Sequence, residues 1–320
     1  MECGFLFGDG PFRRLTIEEA EAYQGPGFLW LHLHGRDKSD LAFLKRQSGI
    51  PGVAASALVA TETRPRCDRI DNGAIVNLRG PGDNDPADSD RLVSIRLWIR
   101  DNRVTSLSRR RMNATAAVMR LFEDEKLRDP GDLVAAYART ISAELDPQVA
   151  DLGDLLDEVE SDLEKPKSLY RHRTQITRIR SEAIAFRRFV APDRDALMTL
   201  AALDVTWLGD DDRLHIREAA DRFARMTEEL EAVRERAALL HEQITDLRAE
   251  QLDQRSLHIA IVAFIFLPLT FITGLLGMNV EGIPFAREAW AFWGVVLFCL
   301  GVGAAVAAYF VWRYWLREKS

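Results

Sequence analysis

Two runs near the C-terminal end constrain this chain more than any other feature. From Ser256 to Val280 there are 25 residues without Asp, Glu, Lys or Arg, and from Ala289 to Trp312 another 24. The first reads LHIAIVAFIFLPLTFITGLLG from Leu257, the second WAFWGVVLFCLGVGAAVAAYFVW from Trp290. Each exceeds the ~20 residues that a helix needs to cross a bilayer. Because a backbone in hydrocarbon must satisfy its own amides, both are predicted as spanning helices. Residues 281–288 alone separate them, which makes the pair a tight hairpin.

Basic residues orient the hairpin. Arg248 and Arg255 precede the first span, Arg313, Arg317 and Lys319 follow the second, and the connecting loop holds only Arg287. The excess of Lys and Arg on the cytosolic side of membrane proteins predicts both termini in the cytoplasm and the short loop outside. Trp290, Trp293, Trp312, Tyr314 and Trp315 bracket the second span, as aromatic side chains do at headgroup level. MECGFLFGDGPFRRL has an early Asp and no long apolar stretch, so it does not read as a signal peptide.

The rest of the chain is charged. With 42 Lys plus Arg against 49 acids the net charge is −7, which argues against nucleic acid as a partner, since phosphate binding requires a basic surface. The three cysteines, Cys3, Cys67 and Cys299, lack C-x-x-C spacing and cannot build a disulfide framework.

Residues 1–145 are predicted as a cytosolic domain of mixed strands and helices. Phe28–His34, Ala74–Leu78, Leu92–Arg100 and Arg103–Ser108 read as strands, the last two joined at Asp101-Asn102 as a hairpin. Thr16, Asp37 and Asn113 are the expected helix N-caps. The composition then changes at Asp146-Pro147. Residues 146–164 carry eight acids and no Lys or Arg, whereas 167–188 carry Lys167 and six arginines against Glu182. Separated by Lys165-Pro166, they suggest an antiparallel pair of an acidic and a basic helix, which closes a 146–212 segment. From Arg213 no Pro or Gly occurs until Pro268. One helix from there to Leu276 would be ~96 Å long at 1.5 Å per residue, comprising a stalk over 213–255 and the first span over 256–279. A loop (280–289), the second span (290–312) and a basic tail (313–320) complete the order.

The first span is patterned. Ser256, Ala263, Thr270 and Gly277 lie seven apart, with Ala260, Leu267 and Gly274 in a neighbouring row, so one stripe is small or hydroxylic. Phe264, Ile265, Phe266, Phe271 and Ile272 are assigned to the opposite rows. Such a stripe serves either close helix packing or a pore wall. Extending the rows into the stalk reaches Asp253, Asp246 and Glu242. On the inner face of an oligomer these would form acidic rings that attract divalent cations; turned outward they are ordinary surface acids.

Other metal or catalytic readings fail. His32 and His34 share a strand face and Cys67 lies elsewhere, without a third ligand at metal-site spacing, so they read as structural residues. His241-Glu242 lacks the second His of a metalloprotease helix. Arg109-Arg110-Arg111 reads as a solvated or salt-bridged strand edge rather than an anion site. Walker loops, dinucleotide fingerprints and Ser elbows do not occur, and no enzyme and no cofactor are expected.

At the outer end of the first span stands Gly277-Met278-Asn279, followed by Val280-Glu281-Gly282-Ile283-Pro284. A G-M-N tripeptide closing the penultimate of two C-terminal spans, after a long helix and a large N-terminal domain, resembles the CorA superfamily of divalent-cation transporters. Thr63 to Cys67, Leu78-Arg79-Gly80, Ser94 to Trp98, Ser106 to Arg111 and Arg187 to Pro192 look like the zinc-transporting ZntB branch. Its loops commonly read V-G-G-I-P after G-M-N, and Glu281 here replaces the first of those glycines.

The resemblance implies an α+β cytosolic domain, a long stalk helix and two C-terminal spans, assembled as a homopentameric funnel in the lipid of a bacterial inner membrane. Five first spans would line an axial pore, with Gly277, Met278, Asn279 and Glu281 at the outer mouth and Thr270, Leu267, Ala263, Ile259 and Ser256 below. Ile259 follows from the resemblance alone. Zn²⁺ is the implied cargo, with proton coupling; a Mg²⁺, Co²⁺ or Ni²⁺ channel gated by cytosolic cations is the alternative. A non-conducting membrane-tethered scaffold is the other. Asn279 oxygens can hydrogen-bond the water shell of a hydrated ion, and Leu267 can gate by dewetting.

Overall fold

Alternation of apolar residues along short runs builds a seven-stranded sheet in the computed structural model. The structure describes residues 3–7, 12–35, 44, 49–61, 64–82, 92–162, 169–278, 282–283, 285 and 288–317. It forms two units, Met1–His241 and Glu242–Ser320. In the first, the elements are β1 (Cys3–Phe7), β2 (Arg13–Leu15), α1 (Ile17–Ala22), β3 (Phe28–His34), α2 (Gly52–Val59), β4 (Arg66–Ile70), β5 (Gly73–Pro81), β6 (Leu92–Arg100), β7 (Arg103–Ser108) and α3 (Asn113–Glu123). The long helices are α4 (Pro130–Asp162), α5 (Leu169–Ala201) and α6 (Asp210–Leu276), the last crossing into the second unit, where α7 (Ala291–Arg317) follows.

The strand order is β2-β1-β3-β7-β6-β5-β4, with β3 and β7 parallel and every other pair antiparallel. Two-residue turns at Asp71-Asn72 and Asp101-Asn102 close the β4–β5 and β6–β7 hairpins. Their first residues take left-handed φ values of 52° and 51°, which Asp tolerates because its short polar side chain bonds locally. Gly73 is needed where two backbones meet: a Cβ there would stand 2.6 Å from the Ile99 carbonyl oxygen.

Both faces of the sheet are covered. Trp30 stacks on Phe5 at 5.0 Å and meets Phe122 of α3 and Tyr137 of α4, forming the aromatic core of one face. Leu29, Leu31, Leu33, Ile75, Trp98 and Leu107 project to the other, against Ala54 and Leu58 of α2. Odd and even positions of each strand thus enter different cores, as a period of two requires.

Three of the four expected strands match in full, and Ala74–Leu78 lies inside β5. Thr16 caps α1 in a capping box with Glu19. The cap of α3 is Met112 rather than Asn113, because an isolated bridge to Gly82 holds Met112 extended and shifts the helix start by one residue. Asp37 and Lys165-Pro166 lie outside the described residues.

Asp146-Pro147 lies inside the 33-residue α4, so the expected composition boundary is not a structural one. Pro147 removes the amide that would bond the Ala143 carbonyl. Both residues are exposed, so water can serve that oxygen. The buried stripe of Leu133, Tyr137, Ile141, Leu145, Val149, Leu152, Leu156 and Val159 continues through the proline uninterrupted. Among the described residues the acidic half of α4 pairs with the long helix, through Arg236 to Asp157 at 2.5 Å and Glu160 at 2.6 Å.

Candidate functional site

The first span ends α6, and its residues divide into two sets by exposure. Ile261, Ile265, Leu269, Ile272 and Leu276 are half-buried, spaced by four, four, three and four. Ser256, Ile259, Ala263, Leu267, Thr270 and Gly277 are exposed. At about 100° per residue, these six residues fall within about 60° of the Ser256 direction and the half-buried set within about 40° of the opposite one, while the rest of the span outside the half-buried set is exposed as well. Leu267 and Ile259 are 76% and 71% exposed.

In the second span, Val295, Val296, Cys299, Val302, Val306 and Phe310 form a corresponding half-buried stripe, and Phe310 meets Phe264 edge-on at 6.2 Å. The two helices are each long and apolar enough to cross a membrane. One correction to the sequence pattern follows. Ile265 and Ile272 do lie opposite the small stripe, but Phe264, Phe266 and Phe271 are exposed on its flanks.

Local bonding marks the C-terminal end of the helix. Pro268 has no amide to give Phe264, while the Thr273 hydroxyl donates back to Leu269 at 2.9 Å. The Gly277 amide donates to Thr273 at 2.9 Å, and a Cβ at Gly277 would stand 3.2 Å from that same oxygen. Met278 is exposed; Asn279 and Glu281 lie outside the described residues.

This pair of apolar helices, the first followed in sequence by Gly277-Met278-Asn279, agrees with the comparison of the whole chain to known families, where the CorA-like Mg²⁺ transporter protein family matches residues 25–313. The chain belongs to the CorA-like family. It is 30% identical to the zinc transport protein ZntB of Pectobacterium carotovorum subsp. carotovorum (strain PC1) over 313 residues, 98% of this chain and 93% of that protein. It is 33% identical to the divalent cation transporter CmaX of Pseudomonas aeruginosa over 290 residues, 89% and 86% of the two. The solved full-length CmaX matches its fold with a TM-score of 0.80 at 30% identity, covering 95% of this chain and 97% of that one. The CorA-like fold therefore comprises here an α+β domain, the long helix and a C-terminal helix.

Asp246, Asp253 and Glu242 of this CorA-like chain are exposed on α6, within about 80° of the Ser256 direction. Seven residues of helix separate Asp246 from Asp253 by about 10 Å, so one chain cannot offer both to one ion. A different acidic group is drawn together in the first unit. Asp129, Asp132 and Asp212 each place a carboxylate oxygen within 4.8 Å of the others. They serve helix starts: Asp129 accepts from the Asp132 amide at 2.8 Å, Asp132 from Arg128 at 2.9 Å, and Asp212 from Gly209 at 2.8 Å. Gly131 makes room, since a Cβ there would meet the Asp212 carboxylate at 2.3 Å. The signal was present in Asp129-Pro130-Gly131-Asp132 and Gly209 to Asp212, which are helix-start sequences.

Burial pushes Asp212 up to about 6 and raises Asp129 as well. A carboxyl whose folded value lies above its ordinary 3.8 binds more protons folded than unfolded, so it stabilises the fold as pH falls from 7 towards 4. The thermal midpoint of the intact protein is therefore expected to rise between pH 7 and pH 5, and Asp212→Asn to flatten that rise while keeping the cap on Gly209. An unchanged pH profile in the variant would show that Asp212 ionises freely.

His32 is buried and pushed down to about 3 by desolvation first and His34 second, so it stays neutral, with Nδ1 2.8 Å from the Ser106 hydroxyl. Burial raises the Cys67 thiol to about 12. Both are structural, in line with the sequence expectation. The Arg109–Arg111 edge differs from it. Arg109 donates to the Val59 carbonyl at 2.6 Å and Arg110 to that of Leu92 at 2.8 Å, so two of the three arginines are tied to backbone rather than solvated.

Proposed function

We propose that this protein carries Zn²⁺ across the bacterial inner membrane through an axial pore lined by the first spans of five copies. The observation that carries the reading is the exposed Ser256, Ile259, Ala263, Leu267 and Thr270 row, set opposite the half-buried face of the same helix. A stripe of small and hydroxylic residues left uncovered by the chain itself suits a shared axis, where backbones approach closely and water must pass. Membership of a transporter family and the zinc transport named for the ZntB relative support the cargo.

Asn279 then forms the outer ring, beside Glu281, whose carboxylates raise the local concentration of any divalent cation. Asp253, Asp246 and Glu242 do the same at the cytosolic end. Exposed Phe266, Phe271, Phe292, Trp293 and Leu297 flank the row or cover the second span and face lipid. The distribution of Lys and Arg supports cytoplasmic termini. The cation is cargo, and chemistry on a substrate is not part of the function.

The test is flux into proteoliposomes under Zn²⁺, Mg²⁺ and Co²⁺ in turn, with and without a pH gradient. The expected result is Zn²⁺ entry enhanced by a gradient directed with the ion. Mg²⁺ or Co²⁺ flux without Zn²⁺ flux, indifferent to the gradient, would assign the protein to the alternative channel and make Glu281 the better guide. No flux of any ion would leave a tethered scaffold.

A further inference from the structure

The segments Leu78-Arg79-Gly80, Ser94 to Trp98 and Ser106 to Arg111 have no part in the pore, yet the sheet brings their arginines together. Asn77 of β5 pairs with Arg96 of β6, and Arg96 with Leu107 of β7. Arg79 and Arg109, two residues further along their strands, are therefore the diagonal neighbours of Arg96. Such neighbours lie roughly 7–8 Å apart at the backbone, within reach of long side chains. All three project from the face that carries Ile75, Trp98 and Leu107.

Arg96 is the anomaly. It is 3% exposed, and its Nε and Nη1 have no hydrogen-bond partner among the described residues. Arg109 spends one nitrogen on Val59, and its Nε is also unmatched. Among the described residues neither Arg96 nor Arg109 has a carboxylate within ion-pair distance. Desolvation first, then the charges of Arg109 and Arg79, pull Arg96 down to about 10, which leaves it charged at neutral pH.

The other neighbours do not compensate it. Arg79 lies over the Phe189 ring of α5 at 3.9 Å and donates to Leu92 at 3.4 Å. Asp193 of α5 accepts the Arg79 amide proton at 3.0 Å, its Oδ2 has no hydrogen-bond partner among the described residues, and burial raises its pKa well above the usual range. Asn77 donates to the Arg64 carbonyl at 2.7 Å and leaves its own Oδ1 unmatched.

A buried charge without a counter-charge is among the costliest arrangements a fold can hold, and removing it for an apolar group of similar size is often neutral or favourable. Guanidinium groups that present free N–H donors side by side match the oxygens of a tetrahedral oxyanion. We propose that Arg96 and Arg109, flanked by Arg79, hold a phosphate-class anion against this face of the cytosolic sheet. Free phosphate and the phosphate of a metabolite share the required chemistry.

The test uses the full chain in detergent, free of divalent cations, with labelled inorganic phosphate in equilibrium dialysis at constant ionic strength in chloride. The wild type is expected to retain about one phosphate per chain, and Arg96→Met and Arg109→Gln to bind it at least ten-fold more weakly. Phosphate at about 100 times Kd should raise the wild-type thermal midpoint saturably by roughly 5 °C, and leave Arg96→Met unmoved. Without phosphate, Arg96→Met should melt no lower than the wild type, since it removes a buried charge that has no ion-pair partner among the described residues. Saturability separates this from the general stabilisation that phosphate gives all proteins. Displacement by glycerol 3-phosphate at lower concentration would identify a phosphate ester as the source. No saturable retention by the wild type, or equal retention by both variants, would overturn the proposal and leave a buried water as the partner of Arg96.

Discussion

Asn279→Ala is expected to reduce Zn²⁺ flux into proteoliposomes ten-fold or more, with the protein still assembled as in the wild type by size-exclusion chromatography. The helix closes at Leu276, and the Gly277 amide makes the last bond, to Thr273. Asn279 comes just beyond that end, where the first polar groups can meet an arriving ion. In the proposed ring of five, each side-chain oxygen would accept from the ion's own waters. A hydrogen bond to a charged group contributes about 1.5–3 kcal/mol, and 1.4 kcal/mol is already a factor of ten in occupancy. In that ring alanine would remove all five at once. Asn279→Asp keeps an acceptor oxygen and is expected to keep flux. Full flux through the alanine variant would place recognition elsewhere and remove Asn279 from the pore.

Leu267→Ser is expected to raise the resting leak of the same proteoliposomes by at least an order of magnitude. Leu267 has 76% of its surface uncovered within one chain, near the middle of the exposed row. Five such side chains around an axis make an apolar constriction that excludes water while closed. Each leucine contributes about 1.5–3 kcal/mol of unfavourable hydration, so five hydroxyls in their place favour a wet pore strongly. Leu267→Ile preserves the apolar ring and is expected to stay tight. A leak unchanged in the serine variant would place the constriction at another level, with Ile259 the next exposed large apolar position on the row.

The strands that were legible in the sequence are those whose pattern is local. Phe28–His34, Leu92–Arg100 and Arg103–Ser108 carry runs of apolar and β-branched residues bounded by turn residues, and each was found over its full length. Cys3–Phe7, Arg13–Leu15 and Arg66–Ile70 were not, because short strands with Arg, Asp or Gly gain their structure from the neighbours they pair with. Pro147 shows the opposite failure. A proline and a change of charge imitate a boundary, but the apolar stripe of α4 decides the helix, since burial of one face outweighs a single missing bond on the other.

The membrane hairpin, the long helix leading into it and the Gly277-Met278-Asn279 end were determined by sequence alone. A run of some twenty apolar residues leaves a chain one way to satisfy its amides in lipid, whatever its partners. Which side of the first span stays uncovered was a tertiary decision. The sequence left open whether the small stripe turns towards the second unit's other helix, and in the structure Ile261, Ile265, Leu269, Ile272 and Leu276 are the half-buried set instead. The same holds for Asp129, Asp132 and Asp212, about 80 residues apart along the chain, and for Arg79, Arg96 and Arg109. Spacing along the sequence carries information only within an element. Strand register and helix docking join distant segments, and these set which charges must share one buried place.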